Sequence, residues 1–256
     1  VDLIVELIGG SEGPAKKLVF AALKNKKHVV TANKALIAKY GDQLAKIAEK
    51  NKVNLEFEAS VCGGVPIIRS LKESLIANKI SKIYGILNGT SNYILSSMYK
   101  DNKNFQEVLS IAKKLGYAEA NPSTDLNGDD VAAKLKILSS LCFNSFLSDN
   151  IYVEGIKEID TVDINNANKL GYKIKLLGFA EYINNNIYQR VHPTLIKKDS
   201  YVASIDGVLN AVIIDSKPVG QSIIQGEGAG PAATTSALIS DISSILRGNI
   251  KFPFSV

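Results

Sequence analysis

Residues able to do chemistry crowd one stretch of the chain, Gly116-Tyr-Ala-Glu-Ala-Asn-Pro-Ser-Thr-Asp-Leu-Asn-Gly-Asp-Asp-Val-Ala-Ala-Lys134. It carries the carboxylates of Glu119, Asp125 and Asp130 and the ammonium of Lys134. The stretch begins as a loop, broken by Pro122 and by Asn127-Gly128. A helix starts at Asp129-Asp130, because Val131, Ala132, Ala133, Leu135, Ile137 and Leu138 follow without a breaker. Acidic residues in a first turn face the positive end of the helix dipole. Asp130 and Lys134 lie four apart and share one helix face, with Glu119 and Asp125 on the loop just before it. Taken alone, Asp130 and Lys134 read as a solvated ion pair, a common and weak feature. Their crowding at a loop–helix junction, where sites concentrate, favours a charged pocket.

The elements that must position these groups fall into two patterns. Residues 1–60 alternate strand and helix: Val1–Ile8, a helix from Pro14, His28–Thr31, a helix through Leu36 and Leu44, then Val53–Phe57. Such alternation implies a parallel sheet with right-handed crossovers. The glycine-rich phosphate fingerprint of a dinucleotide fold does not occur in these residues. Gly9-Gly10, at a strand's carboxyl end, has the placement for close approach of a ligand to backbone. Opening directly on an apolar strand, the chain is expected to continue an N-terminal part of a longer protein.

Beyond the turn-rich Glu58-Ala-Ser-Val-Cys-Gly-Gly-Val-Pro66, a helix through Ile67 and Leu75 precedes a strand at Ile80–Ile86. Asn88-Gly-Thr-Ser-Asn92 reads as a polar loop into a helix at Tyr93–Tyr99, followed by a helix at Phe105–Leu115. A strand at Ile151–Ile156 and a helix at Ile164–Leu170 come next. Strands at Lys173–Tyr182, Ile187–Leu195 and Val208–Ile214 predict a mixed, partly antiparallel sheet. Gly226-Glu-Gly-Ala-Gly230 reads as a glycine loop opening a last helix, Ala232–Leu246. The expected fold is α/β: a partial doubly wound, Rossmann-like parallel sheet in residues 1–60, then an α+β unit with a mixed, partly antiparallel sheet in 61–230. Residues 231–256 form a C-terminal helix packing back on the first unit.

Composition narrows the classes of function. Apolar residues make up 46% and charged residues 21% of the 256, as in soluble globular proteins. No stretch approaches the ~20 apolar residues that span a bilayer. Cys62 and Cys142 form neither a disulfide framework nor a metal-site spacing, which fits a reduced cytoplasmic setting. The net charge of +5 comes from scattered lysines, a solvated surface rather than a nucleic-acid groove. His28 and His192 stand apart from any serine or cysteine in a nucleophile setting, which argues against a hydrolase triad.

Several of these segments resemble the homoserine dehydrogenase family: Glu119, Asp125-Leu-Asn-Gly128, Asp130-Val-Ala-Ala-Lys134 and Thr31-Ala-Asn-Lys34. Glu6-Leu-Ile-Gly-Gly10, Tyr152-Val-Glu-Gly155 and Gly171-Tyr-Lys-Ile-Lys-Leu-Leu-Gly178 extend the likeness from Val1 to about Leu246. The departures are the missing fingerprint, one extra residue after Gly10, and no C-terminal regulatory domain. The resemblance implies the catalytic region of an NAD(P)-dependent oxidoreductase that interconverts aspartate semialdehyde and homoserine, in threonine, methionine and isoleucine biosynthesis. It implies that this chain lacks the N-terminal part of its dinucleotide-binding domain, is inactive alone, and assembles as a homodimer or tetramer.

Residue roles follow from the same resemblance. Lys134 would be the catalytic lysine, its pKa lowered by burial or a second lysine, with Lys34 assisting or holding the cofactor. Glu119 and Asp130 would hold the substrate's amino group, and Asp125, Gly89, Thr90 and Tyr117 would shape its pocket. Gly9, Gly10, Lys34, Gly228 and Gly230 would touch the cofactor. Main-chain carbonyls of Glu58, Val61, Gly63 and Val65 would hold a monovalent cation such as sodium. Two other readings are a dehydrogenase of a different small oxo acid, which would meet unpaired carboxylates at Glu119 and Asp130, and a non-catalytic dimerisation module.

Overall fold

The computed structural model describes residues 1–145, 151–248 and 251–254. Three short parallel strands come first, β1 (Leu3–Glu6), β2 (His28–Thr31) and β3 (Leu55–Glu56), in the order β1-β2-β3. Two helices make the crossovers, α1 (Pro14–Lys24) and α2 (Lys34–Asn51). Pro14 opens α1, a position where the missing N–H costs nothing. Asn33 caps α2 by accepting the Leu36 N–H, one of the orphan donors of a helix start. Val19, Leu23, Val29, Leu36 and Leu44 are fully buried between these layers.

A six-stranded mixed sheet follows, in the order β5-β7-β6-β4-β8-β9. Its strands are β4 (Lys79–Ile86), β5 (Tyr152–Val153), β6 (Tyr172–Ile183), β7 (Asn186–Lys197), β8 (Leu209–Lys217) and β9 (Gly220–Glu227). β4 runs antiparallel to both neighbours and sets Ile83 opposite Ala180 on one side and Ile214 on the other. All three are buried. The helices of this part are α3 (Ile67–Arg69), which runs on into a π-helical turn at Ser70–Ser74, α4 (Gly89–Asp101), α5 (Phe105–Lys114), α6 (Ser123–Asn127), α7 (Asp129–Phe143) and α8 (Thr161–Lys169). α7 packs on β4 and β6 through Val131, Leu135 and Leu138, each wholly buried and worth about 1.5–3 kcal/mol. The final helix, α9 (Pro231–Leu246), returns to the parallel sheet and sets Leu238 and Ile245 against Val30. Among the described residues no helix is long and apolar enough to cross a membrane.

The α/β order, parallel then mixed, is as the sequence predicts, but several elements differ. α4 begins at Gly89 rather than Tyr93, because the Asn88 side chain accepts the Ser91 N–H and starts the helix there. The loop before α7 contains the short helix α6. β9 was not expected: its flanking glycines read as a loop, yet residues 220–227 pair with β8 over their whole length. The expected strand at Ile151–Ile156 shrinks to Tyr152–Val153, and Val53–Phe57 shrinks to Leu55–Glu56.

Candidate active site

A cleft of about 710 Å³ lies where the carboxyl end of β2, the end of β4 and the start of α7 converge. Gly128 (φ +88°) turns the chain left-handed between α6 and α7, a conformation that glycine adopts without strain. That turn sets Asp125 just before the face bearing Asp130 and Lys134. Asp130 is only 7% exposed, so its carboxylate needs partners. Lys134 Nζ lies 2.8 Å from Oδ2 and Lys34 Nζ 3.1 Å from Oδ1. Asn88 Nδ2 donates to Asp130 Oδ2 and to Asp125 Oδ1, both at 2.8 Å. Lys134 also donates to the Leu87 carbonyl at 2.7 Å. With three donors on an ammonium, one is left to point elsewhere.

Thr31-Ala-Asn-Lys34 has a separate task at three of its four positions. Thr31 Oγ1 donates to Glu6 Oε2 at 2.6 Å, and Glu6 Oε1 accepts the N–H groups of Ile8 and Gly9 at 2.7 and 2.9 Å. Asn33 Nδ2 donates to the Gly10 carbonyl at 2.8 Å while its oxygen caps α2. Lys34 reaches Asp130 from the first residue of α2. The buried Glu6 and Asn33 thus hold the Gly9-Gly10 loop beside the residue that meets the cleft.

The charges in this cluster do not titrate alike. Burial pushes the Asp130 carboxyl up, but the Lys134 and Lys34 ammoniums and the Asn88 amide outweigh it and hold it far below the usual range. Burial pushes the Lys134 ammonium down, yet Asp130 outweighs that too, so its pKa sits above that of a free lysine. This overturns the expectation of a lowered lysine: the second lysine binds the far oxygen of the shared carboxylate instead of crowding Lys134. Asp125 goes the other way. Burial raises its carboxyl, against the hydrogen bond from Asn88, and the Asp130 charge adds to the rise. One amide therefore joins a carboxylate held ionised to a carboxyl pushed toward its neutral form.

Most of the expected residues meet at this cleft. Lys34, Gly89, Thr90, Tyr117, Glu119, Asp125, Asp130, Lys134, Gly228 and Gly230 line it. Thr90 Oγ1 donates to the Tyr117 carbonyl at 2.6 Å, and the Tyr117 ring packs edge-on against Tyr93 at 5.0 Å. Glu119 is exposed in the wall. Asp130, by contrast, has both oxygens engaged by the protein's own donors. Gly9 and Gly10 do not line the cleft, although both are left-handed and open to solvent. Of the four carbonyl residues in the turn Glu58–Pro66, Gly63 lines the cleft, whereas Glu58, Val61 and Val65 are not among its lining residues. The Glu58 side chain turns away and accepts the N–H groups of Ile68 and Arg69 at 2.8 and 2.7 Å. Gly228 has a structural reason to be glycine, since a β-carbon there would sit 2.0 Å from the Asn210 side chain.

Sequence reasoning missed three contributors. Asn88 reads from sequence as part of a loop, and an asparagine standing between a strand and a helical run is the capping signal that marks it. Asn210 is fully buried, donates to Cys62 Sγ at 3.4 Å and leaves Oδ1 without a partner among the described residues. The Leu87 carbonyl, as backbone, carries no signal in residue type at all.

Comparison with known proteins follows the same residues. A family model described as "Homoserine dehydrogenase" matches residues 66–243, and one described as "Homoserine dehydrogenase, NAD binding domain" matches residues 1–58. The chain is 48% identical over 248 residues to a homoserine dehydrogenase of Neisseria gonorrhoeae, covering 96% of this chain and 57% of that protein. It is 47% identical over 251 residues to one from Synechocystis, covering 96% and 58%. The chain thus spans well under two thirds of the curated relatives it matches. The solved structure of a homoserine dehydrogenase from Thiobacillus denitrificans superposes with a TM-score of 0.94 at 44% identity, covering 100% of this chain and 61% of that one. A hyperthermophilic archaeal homoserine dehydrogenase mutant solved in complex with NADPH superposes with a TM-score of 0.83 at 29% identity, covering 97% and 73%.

Proposed function

Because the chain belongs to the homoserine dehydrogenase family, we propose that its cleft is the amino-acid end of an NAD(P)-dependent oxidoreductase interconverting aspartate semialdehyde and homoserine. The observation that carries this reading is the Lys34–Asp130–Lys134 ion triad in one cleft with the exposed Glu119 carboxylate. A bound nicotinamide supplies the hydride. The protein's part is to hold the aldehyde and to stabilise the charge that develops on its oxygen. Lys134, fixed by Asp130 and by the Leu87 carbonyl, keeps one N–H free for that oxygen and is the candidate proton donor. Its raised pKa makes it first of all a permanent positive charge.

Glu119 is the candidate acceptor for the substrate ammonium, a compact cation that favours a carboxylate. Asp130 supports it less directly, by fixing both lysines. Asp125, Gly89, Thr90 and Tyr117 shape the pocket. Lys34, Gly228 and Gly230 would face the cofactor, with Gly9 and Gly10 on the adjacent loop. That loop fits such a group, since nothing lies within 4 Å of where β-carbons would stand at Gly9 and Gly10. The Glu58, Val61, Gly63 and Val65 carbonyls remain the proposed ligands of a sodium-like cation, supported by the successive left-handed residues Cys62 and Gly63 that fold this turn back on itself. A homodimer or tetramer is the proposed assembly, supported by exposed Tyr188 and Ile223 on one face of the six-stranded sheet. Two free cysteines support the proposed cytoplasmic setting.

The test is Glu119→Gln in the complete protein. It should raise KM for homoserine about tenfold or more, the loss of roughly 1.4 kcal/mol or above in an ion-paired contact, while a des-amino analogue binds almost as before. Equal weakening of both ligands would make Glu119 structural and refute its assignment.

A further inference from the structure

The segment Gly171–Gly178 resembles the family yet carries no task in the chemistry above. At its centre, on β6, stands a lysine that points inward. Lys175 is 1% exposed, and a buried ammonium is strongly disfavoured unless it is fully partnered. It is. Its three N–H groups are shared among four acceptors, the Ile205 carbonyl at 2.6 Å, Asp206 Oδ1 at 2.7 Å, Asn92 Oδ1 at 3.0 Å and Ser96 Oγ at 3.2 Å. Asn92 closes the network by donating to the Ile205 and Leu209 carbonyls at 3.1 and 3.2 Å. Lys173, two residues earlier on the same strand, holds the other Asp206 oxygen at 3.0 Å. Burial lowers the Lys175 pKa, and the Asp206 carboxylate opposes that shift.

The three segments fastened here are β6, the first turn of α4, and the connection from Ile205 to Leu209. Two of them reach the cleft. Asn92 follows one turn after Asn88, the residue that bridges Asp125 and Asp130. The Val208 carbonyl packs so closely on α4 that a β-carbon at Gly89 would lie 2.7 Å from it. Val208, Gly89 and Thr90 all line the cleft. We propose that Lys175 is a positioning residue, which fastens the start of α4 to the connection at residues 205–208 so that Gly89, Thr90 and Val208 form one rigid wall at the amino-acid end of the cleft. This rests on the reading of the cleft given above and extends it to a residue that never touches the substrate.

The test uses Lys175→Met, which keeps the length of the side chain and removes its charge and donors, in the complete protein. Hydrogen exchange of the amides at residues 89–92 and 205–209 should accelerate together by about tenfold or more, while amides of β2 stay unchanged. KM for homoserine should rise roughly tenfold, KM for the cofactor less than twofold, and kcat should stay within about threefold. Lys173→Met, which leaves Lys175 in place, should move none of these. If Lys175→Met does not fold, Asp206→Asn, at a half-exposed carboxylate, should give the same pattern at about threefold. Acceleration of one segment without the other, or equal rises in both KM values, would overturn the proposal. Absence of homoserine turnover in the wild-type protein would sink the reading of the cleft, and the paired exchange would then decide the fastening by itself.

Discussion

Replacing Asn88 by serine isolates what the bridging amide does. Among the described residues the Asn88 side chain makes three hydrogen bonds: its oxygen caps α4 through the Ser91 N–H at 2.8 Å, and its Nδ2 donates to Asp125 and Asp130 at 2.8 Å each. Serine is as good a cap as asparagine, so Asn88→Ser keeps the first contact and loses the other two. Hydrogen bonds to charged groups contribute roughly 1.5–3 kcal/mol each. Cleft water can replace part of the loss at Asp125, which leaves a net of about 3 kcal/mol and a fall in Tm of roughly 6–12 °C. Asn88→Ala should lose about 1 kcal/mol more, for the missing cap. The pH dependence gives an independent check. A carboxyl whose folded pKa is raised holds its proton more tightly in the folded state, so its favourable contribution is present at low pH and is lost as pH rises through that pKa. Asp125 is such a group, and losing the Asn88 donor raises it further. The Asn88→Ser deficit should therefore be largest near pH 7.5 and smaller near pH 4.5. It should not vanish there, because Asp130 stays ionised and still lacks its donor. Thermal melts followed by far-ultraviolet circular dichroism at both pH values measure this. A variant within about 1 °C of wild type at pH 7.5, or a deficit that grows toward pH 4.5, would refute the bridging role.

Two further outcomes follow from charges elsewhere. Lys134→Ala in the complete protein should lower kcat by at least ~10²-fold, the usual range for loss of an acid–base group, and near-wild-type turnover in steady-state assays would remove it from that role. Asp241 on α9 is almost fully buried, accepts the Glu58 N–H at 3.0 Å and pairs with Arg69 at 3.3 Å. Burial, with the Glu56 and Glu58 charges adding, pushes its pKa up to about 7. Its contribution to stability is thus present below pH 4 and lost as pH rises toward 7, a swing on the order of a few kcal/mol. Asp241→Asn should flatten the wild-type decline in Tm between pH 5 and pH 8, and an unchanged slope would show that Asp241 is not the group responsible.

How far the site was legible depended on which atoms do the work. Strand–helix alternation in residues 1–60 and the pairing of Asp130 with Lys134 rest on side-chain type and spacing, and both are visible in the chain. The segment Thr31-Ala-Asn-Lys34 was legible as a unit, but not the division of its labour, because Thr31 and Asn33 act on Glu6 and Gly10 from another strand. β9 was hidden for a different reason. It is an edge strand with one exposed face, and its terminal glycines carry the same signal as a loop. The direction of the Lys134 shift could not be read at all. It depends on whether burial or an opposite charge wins, and only the 2.8 Å approach of Asp130 settles that contest.

That contest also bears on the chemistry. A buried carboxylate is costly unless donors surround it, and Asp130 collects its donors from three places: Lys34 at the start of α2, Asn88 capping α4, and Lys134 on its own helix. Those donors thereby tie the start of α2, beside the parallel sheet, to α7 on the mixed sheet through one charged cluster. The same arrangement keeps Lys134 protonated, since a lysine held by an ionised carboxylate gives up its proton less readily than a free one. A site built this way favours charge stabilisation over easy proton release. In the proposed reaction Lys134 would therefore deliver its proton late, once the substrate oxygen has become a strong base, and the fixed ammonium would lower the barrier chiefly through the field it presents beforehand.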